Sequence, residues 1–202
     1  MTAADRREAV RLAGRAHERE LLRRAIAGSA RGQPCTVLVH GEAGVGKTRL
    51  VTAATEQAPL TGCTVLWGRC LRFGAASSPY LPFLSALQRW LAEGHGTEEL
   101  DLEQLENPGT GSSGHALHLI DRSIGRLAAT APVILVVDDL QWADVSSLDA
   151  LAYLIAGAVP RRLAILVTYR DEGLPDGHVL HEWLADMVRM PGVVDLPLGP
   201  LD

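Results

Sequence analysis

The chain has 202 residues, of which 47% are hydrophobic and 21% charged, and its formal net charge is −5. This length and composition predict one globular unit with a substantial core. The acidic balance and the lack of a dense Lys/Arg block argue against direct nucleic-acid binding by these residues, because phosphate neutralisation needs a basic face.

Strand and helix patterns alternate along the chain. An amphipathic helix at 15–31 is followed by a β-branched strand at 35–40 and a helix at 47–57. The later predicted elements are strands at 63–67, 133–137, 163–169 and 193–196, and helices at 80–93, 115–129 and 148–159. Residues 94–114, rich in glycine and acidic residues, predict a surface insertion. Apolar strands that alternate with helices predict a parallel sheet covered on both faces.

Neither membrane insertion nor export is indicated. No segment approaches the roughly 20 apolar residues that cross a bilayer, and the N-terminus lacks the apolar core of a signal peptide. We therefore expect a cytoplasmic protein that does not engage a membrane. The three cysteines, Cys35, Cys63 and Cys70, lack the C-x-x-C spacing of a zinc site and are expected to be reduced, buried thiols.

A glycine-rich loop lies between the first strand and the second helix. Its sequence, Gly41-Glu42-Ala43-Gly44-Val45-Gly46-Lys47-Thr48, satisfies the whole G-x-x-x-x-G-K-[ST] pattern, known as Walker A. Glycines let backbone N–H groups converge on a phosphate, and the helix N-terminus adds partial positive charge. In this pattern Lys47 reaches the β- and γ-phosphates and Thr48 ligates Mg²⁺. We assign residues 41–48 and the adjacent Arg49 to nucleotide binding.

The loop and the order of elements together predict an α/β fold of the P-loop NTPase type. The expected architecture is a three-layer sandwich with a mostly parallel five-stranded sheet covered by helices on both faces. Asn107 is the only asparagine, so the Asn-Lys-x-Asp motif that reads guanine cannot be present. The expected ligands are therefore ATP or ADP with Mg²⁺.

Two adjacent carboxylates, Asp138 and Asp139, follow the buried strand at 133–137. Carboxylates in such a place need a cation or hydrogen bonds. In P-loop enzymes one acidic residue here holds the metal and a neighbour orients or deprotonates water, so we assign Asp138 to Mg²⁺ and Asp139 to the attacking water. The alternative is that both residues only cap the following turn. Asp139 is one methylene shorter than the glutamate often used, so hydrolysis is expected to be slow.

Arg170 directly follows the strand predicted at 163–169 and is a candidate contact for the γ-phosphate. We therefore assign Arg170 to the catalytic residues together with Lys47 and Asp139. The alternative is a surface ion pair with Asp171 or Glu172. In the segment after Asp139, Trp142 is expected to pack against the sheet and Asp144 to cap a helix.

These motifs resemble the nucleotide-binding domain of STAND-class ATPases related to AAA+ proteins, specifically that of large ATP-binding LuxR-type bacterial transcriptional regulators. The resemblance extends from about residue 12 to residue 201. It rests on four motifs. The first is Leu12-Ala13-Gly14-Arg15 with Glu18 and Leu22, and the second is the Walker A loop. The third is Asp138 to Asp144, which reads DDLQWAD and includes the Walker B carboxylates, and the fourth is Thr168-Tyr169-Arg170.

The resemblance implies roles for further residues. Arg15 would lie near the adenine or its ribose, and Arg170 would act as a sensor of the γ-phosphate. Residues 1–202 would form one nucleotide-binding domain with an extension at 1–13, whereas the helical lid, the repeat-built sensor and the DNA-binding helix-turn-helix of similar proteins would lie outside this chain. Expected partners are an adenine nucleotide, other domains of the same polypeptide, and further copies of the protein.

Three functions are compatible with this sequence. The leading hypothesis is a regulatory ATPase whose bound nucleotide sets the arrangement of neighbouring domains, with slow hydrolysis as the reset. The second is a module that binds nucleotide without turnover. The third is a small-molecule kinase, for which the loop is equally suitable but for which the sequence shows no Arg-rich lid.

Overall fold

The computed structural model of the protein describes residues 14–56, 58, 61–71, 79–94, 113–157 and 161–200. Its strands are β1 (Cys35–Gly41), β2 (Thr64–Arg69), β3 (Val133–Asp138), β4 (Leu163–Arg170) and β5 (Val193–Pro197). The α-helices of this part are α1 (Ala16–Ala30), α2 (Lys47–Thr55), α3 (Leu81–Ala92), α4 (Ser113–Thr130), α5 (Val145–Ile155) and α6 (Val179–Met187). A single 3-10 turn, Leu140–Trp142, links β3 to α5.

The five strands form one sheet in the order β2-β3-β4-β1-β5. Every neighbouring pair is parallel, because each strand is joined to the next along the chain by a helical crossover. The prediction of a five-stranded, mostly parallel α/β sheet is confirmed, and the sheet is in fact wholly parallel. All strand carboxyl ends therefore lie at one edge, where the loop after β1 and the residues after β3 and β4 come together.

Helices cover both faces of the sheet, as predicted. Alternate residues of β1 point to opposite faces: Leu38 belongs to a core cluster with α3, α4, α5 and α6, whereas Val37 and Val39 belong to a cluster with α1 and α2. All six residues of β3 are buried. Such two-sided burial explains why the sequences of the central strands read as continuous apolar runs.

Helix α5 begins three residues earlier than the predicted 148–159. It starts at Val145 because the Asp144 side chain accepts a hydrogen bond of 2.9 Å from the Ser147 N–H, which satisfies one of the free donors of the first turn. The prediction that Asp144 caps a helix is confirmed. Trp142 packs, partly buried, against the core cluster, as expected.

Helix α6 was not predicted. It has only nine residues, and it follows a segment with two glycines and one proline that reads as loop. His178 caps it, since its Nδ1 accepts a hydrogen bond of 3.2 Å from the Leu180 N–H. Leu180 and Trp183 are buried, and the Trp183 Nε1 donates a hydrogen bond of 2.9 Å to the carbonyl of Leu148 in α5. Packing against α5 and the core cluster, which periodicity over nine residues does not reveal, therefore stabilises this helix.

The three cysteines differ in burial. Cys63 and Cys70 are buried free thiols, as expected, whereas Cys35 is only half-buried. Among the described residues no helix is long and apolar enough to span a bilayer. The N-terminal extension at 1–13 and most of the insertion predicted at 94–114 lie outside those residues.

Candidate functional site

The loop between β1 and α2 has the backbone conformation that its glycines make possible. Gly44 has a φ of 80° and Gly46, which precedes the first turn of α2, a φ of 101°. Side chains other than glycine rarely adopt such angles. A Cβ placed on either glycine would meet no atom of the described residues within 4 Å. The loop therefore presents its backbone on an open side, as an anion-binding loop requires.

Gly41 is required by a close backbone contact as well as by its backbone conformation. Its φ is 145°, and an added Cβ would collide with the backbone carbonyl of Leu198. The Leu198 N–H in turn donates a hydrogen bond of 2.7 Å to the carbonyl of His40. The segment that leaves β5 thus lies directly against the start of the loop.

Lys47 is the only lysine in the chain, and it is buried at the end of this loop. Its Nζ donates hydrogen bonds of 2.8 Å to the carbonyls of Gly41 and of Glu42. Burial lowers the pKa of Lys47, and the nearby positive charge of Arg170 lowers it further. A bound anion would favour the protonated form of this amine, which is the chemistry expected of a phosphate-binding lysine.

Asp138 is the buried centre of the site, with 1% of its side chain exposed. Its Oδ1 accepts hydrogen bonds from two hydroxyls, 2.8 Å from Thr48 Oγ1 and 2.6 Å from Thr168 Oγ1. The structure thus brings together the two residues that the sequence assigned to Mg²⁺, although they are 90 positions apart. Thr168 belongs to the Thr168-Tyr169-Arg170 motif, but it was not assigned to the site, because the sequence does not show that its strand lies beside the one that ends at Asp138.

Asp139 has the left-handed backbone conformation, with a φ of 60° and a ψ of 47°. Its N–H donates a hydrogen bond of 2.9 Å to Thr168 Oγ1, and its Oδ1 accepts one of 3.1 Å from Gln141 Nε2. Its side chain makes no capping hydrogen bond to the following turn. The alternative in which the two aspartates merely cap that turn is therefore not what the structure shows.

Arg170 ends β4 beside the loop, because it is the register partner of Gly41, the first residue of the loop. Its backbone N–H donates a hydrogen bond of 3.2 Å to Gln141 Oε1. Within the described part of the chain its side chain forms no ion pair with Asp171 or Glu172, and Asp171 instead contacts His40. The position is compatible with the γ-phosphate contact predicted for Arg170, which stays a prediction.

Arg15 is buried at the start of α1, with 8% of its side chain exposed. Its guanidinium lies 3.0 Å from Glu18 Oε1 and donates a further hydrogen bond to the carbonyl of Gly199. These contacts join the first helix to the segment after β5. The adenine or ribose contact that the resemblance implies for Arg15 stays a prediction. Arg49 is half-buried in the first turn of α2.

Arg69, the last residue of β2, was missed by the sequence analysis. Its Nη2 lies 3.1 Å from Asp138 Oδ2, and its Nε lies 3.5 Å from Asp139 Oδ2. The signal was available, because β2 is parallel to β3 and its carboxyl end must reach the same edge of the sheet as the two aspartates.

The parallel sheet and the loop between β1 and α2 define this protein as a P-loop NTPase by fold. Residues 11–167, more than half of the chain, match the AAA ATPase domain family. The chain belongs to that family. No curated protein matches the sequence.

Several solved structures share the fold. A chain of Drosophila ORC bound to DNA aligns with a TM-score of 0.51 at 14% identity, covering 91% of this chain and 92% of that chain. A STAND protein with a tetratricopeptide repeat sensor from Pyrococcus horikoshii aligns with a TM-score of 0.50 at 22% identity, and the alignment covers 92% of this chain and 23% of that chain. AMPPCP-bound DnaA from Aquifex aeolicus aligns with a TM-score of 0.46 at 16% identity, and the alignment covers 92% of this chain and 46% of that chain. This chain thus spans less than half of the last two proteins.

Proposed function

We propose that this domain binds Mg-ATP and acts as a slowly hydrolysing regulatory switch in a LuxR-type transcriptional regulator. The observation that carries the nucleotide-binding part is the hydrogen bond of 2.8 Å between the Thr48 hydroxyl and the Asp138 carboxylate, beside Lys47 and a loop with an open backbone. A purely structural glycine turn would not need a buried lysine and a buried carboxylate at its end.

The residues present suit a magnesium ion. Mg²⁺ prefers oxygen ligands, and a carboxylate and a hydroxyl oxygen meet where α2 begins and β3 ends. Thr48 and Asp138 would hold the ion, which when bound neutralises charge on the β- and γ-phosphates. Lys47 and the backbone N–H groups of the loop would hold the phosphates, and Arg170 would contact the terminal one.

Slow turnover is the expected consequence of the surroundings of Asp139. One oxygen accepts a hydrogen bond from Gln141, and the other lies 3.5 Å from the Arg69 guanidinium. A carboxylate whose oxygens already have partners is less available to accept a hydrogen bond from the attacking water. The same observation favours a second candidate, a module that binds nucleotide without hydrolysing it.

The regulatory role rests on the resemblance of the motifs to LuxR-type regulators. In such a protein the nucleotide would bias the contacts of this domain with its neighbours in the same polypeptide and with further copies. The described residues provide one route, since the segment after β5 touches the loop at Gly41. DNA binding would belong to another domain of the regulator.

Calorimetry with a matched pair of variants tests nucleotide binding. Thr48 and Thr52 lie one turn apart on α2, and the Thr52 hydroxyl donates a hydrogen bond of 2.8 Å to the carbonyl of Thr48. We expect Thr48→Ala to weaken Mg-ATP binding roughly tenfold or more and Thr52→Ala to leave it unchanged. Lys47→Ala should weaken binding with and without Mg²⁺. Equal affinities of all variants and the wild type would refute the site.

Single-turnover hydrolysis separates the switch from the pure binding module. We expect the wild type to release phosphate slowly, and Asp139→Asn to abolish that release without weakening Mg-ATP binding, because Asp139 acts on water rather than on the nucleotide. The measurement is phosphate release from radiolabelled ATP at excess protein. No release by the wild type would favour the binding module.

A further inference from the structure

Arg69 faces Asp138 across two parallel strands. The two residues are register partners at the ends of β2 and β3. The Arg69 guanidinium approaches Asp138 Oδ2 with two nitrogens, Nη2 at 3.1 Å and Nε at 3.2 Å. The same Nε lies 3.5 Å from Asp139 Oδ2. One arginine thus contacts two adjacent carboxylates and offsets one of their two negative charges.

The contacts of Asp138 divide its two oxygens between different partners. Oδ1 accepts hydrogen bonds from the hydroxyls of Thr48 and Thr168. Oδ2 is contacted by Arg69 and by no other side chain of the described residues. A divalent cation held by Thr48 and Asp138 would place two further positive charges beside this guanidinium. Because like charges repel strongly where the solvent is partly excluded, Arg69 and the cation must compete for the carboxylate.

Exposure shows which of the partners can move. The Arg69 side chain is 54% exposed, whereas that of Asp138 is 1% exposed. The arginine can therefore leave the carboxylate and remain solvated, since a guanidinium that turns outward is not left buried without a partner. Asp138, held by two hydroxyls, stays in place.

We propose that Arg69 is a positioning residue that partly offsets the charges of Asp138 and Asp139 while no metal is bound, and that yields Asp138 to Mg²⁺ when the nucleotide binds. This inference rests on the proposed function, because it concerns the metal of the same site. Arg69 thereby sets the Mg²⁺ concentration at which the nucleotide is held tightly.

This exchange predicts that loss of Arg69 lowers both the thermal stability of the metal-free protein and the Mg²⁺ concentration needed for binding. Without Arg69, the two neighbouring carboxylates repel each other in the metal-free protein, so the protein should unfold at a lower temperature. Mg²⁺ no longer has to displace a cation, so it should bind at lower concentration. A merely structural ion pair would lower the unfolding temperature but would not change the metal requirement.

The test compares Arg69→Gln and Arg69→Lys with the wild type. Arg89→Gln serves as the control, because Arg89 forms an exposed ion pair with Glu93 on α3. We expect Arg69→Gln to unfold a few degrees lower in EDTA and to recover most of that loss with Mg-ATP. The free Mg²⁺ concentration that gives half of the gain in ATP affinity should fall roughly threefold to tenfold. Arg69→Lys should lie between Arg69→Gln and the wild type, and Arg89→Gln should match the wild type.

Two results would overturn the proposal: a Mg²⁺ midpoint that is unchanged or higher in Arg69→Gln, or a loss of thermal stability that Mg-ATP does not reduce. Failure of the proposed function has a different signature, which is absence of ATP binding by the wild type. In that case thermal unfolding with MgCl₂ alone decides, since Arg69→Gln should be stabilised more by the metal than the wild type. Equal stabilisation would reject the role of Arg69.

Discussion

Among the single residues, Lys47 can be labelled selectively with an amine-reactive reagent. Lys47 is the only lysine, so an amine-reactive reagent has two targets in this chain, the Lys47 side chain and the N-terminal amine. Its Nζ donates to two carbonyls of the loop, and burial lowers its pKa. The lowered pKa increases the unprotonated, reactive fraction of the amine at a given pH, whereas burial restricts access to it.

Labelling of Lys47 therefore reports occupancy of the loop. We expect Mg-ATP to reduce acetylation of Lys47 several-fold, because a phosphate bound by the amine favours its protonated form and shields it. The N-terminal amine is the internal control and should be labelled equally with and without nucleotide. Peptide mass spectrometry measures both sites. Unchanged labelling of Lys47 at saturating ATP would mean that the amine does not contact the ligand.

At the scale of elements, the approach of α3 to β2 depends on a glycine. A Cβ on Gly68, the second-last residue of β2, would collide with the backbone carbonyl of Pro82 in the first turn of α3. On Gly125, in the middle of α4, it would meet no atom of the described residues within 4 Å. The two glycines thus have different reasons to be present, and only the first is required by packing.

Alanine at these two positions should have opposite effects. We expect Gly68→Ala to destabilise the protein by about 1–3 kcal/mol, since β2 and α3 must separate to make room. Gly125→Ala should stabilise it by about 0.5–1 kcal/mol, because glycine loses more backbone entropy in a helix than alanine does. Urea unfolding monitored by circular dichroism measures both changes. If both variants changed the free energy of unfolding in the same direction, the result would contradict the packing described for β2.

At the scale of the whole molecule, the first helix and the segment after β5 are joined through one side chain. Arg15 contacts Glu18 on α1 and the carbonyl of Gly199, 184 positions away. The same segment closes over the loop at Gly41 and His40. Arg15 therefore connects the beginning and the end of the described chain close to the candidate nucleotide site.

Removing this arginine should weaken the fold as a unit. We expect Arg15→Met to lower the free energy of unfolding by about 2–4 kcal/mol, because Glu18 and the Gly199 carbonyl lose a buried, charged donor. Arg23→Met is the control, since Arg23 pairs with Glu20 at the surface of the same helix, and it should leave the free energy of unfolding unchanged. Chemical denaturation measures the two variants. A loss as small as that of Arg23→Met would show that Arg15 does not join the two segments.

The order and type of the elements could be read from the sequence wherever local patterns were strong. The apolar run of β3 and the pattern from Gly41 to Thr48 identified the fold class and predicted most of the candidate site, because burial on both faces and phosphate binding each demand particular residues at neighbouring positions. The short helix α6 was missed, since over nine residues tertiary packing outweighs any periodicity.

The loop with its lysine and the pair of carboxylates follow from the sequence alone, since each is a run of adjacent residues whose chemistry depends on that adjacency. What these groups contact depends on the fold: Thr168 and Arg69 meet Asp138 because the parallel order β2-β3-β4 brings three strand ends to one edge. Such contacts join residues 30 and 69 positions apart. Spacing in the sequence does not record them, because side chains that meet across neighbouring strands are selected by register and not by distance along the chain.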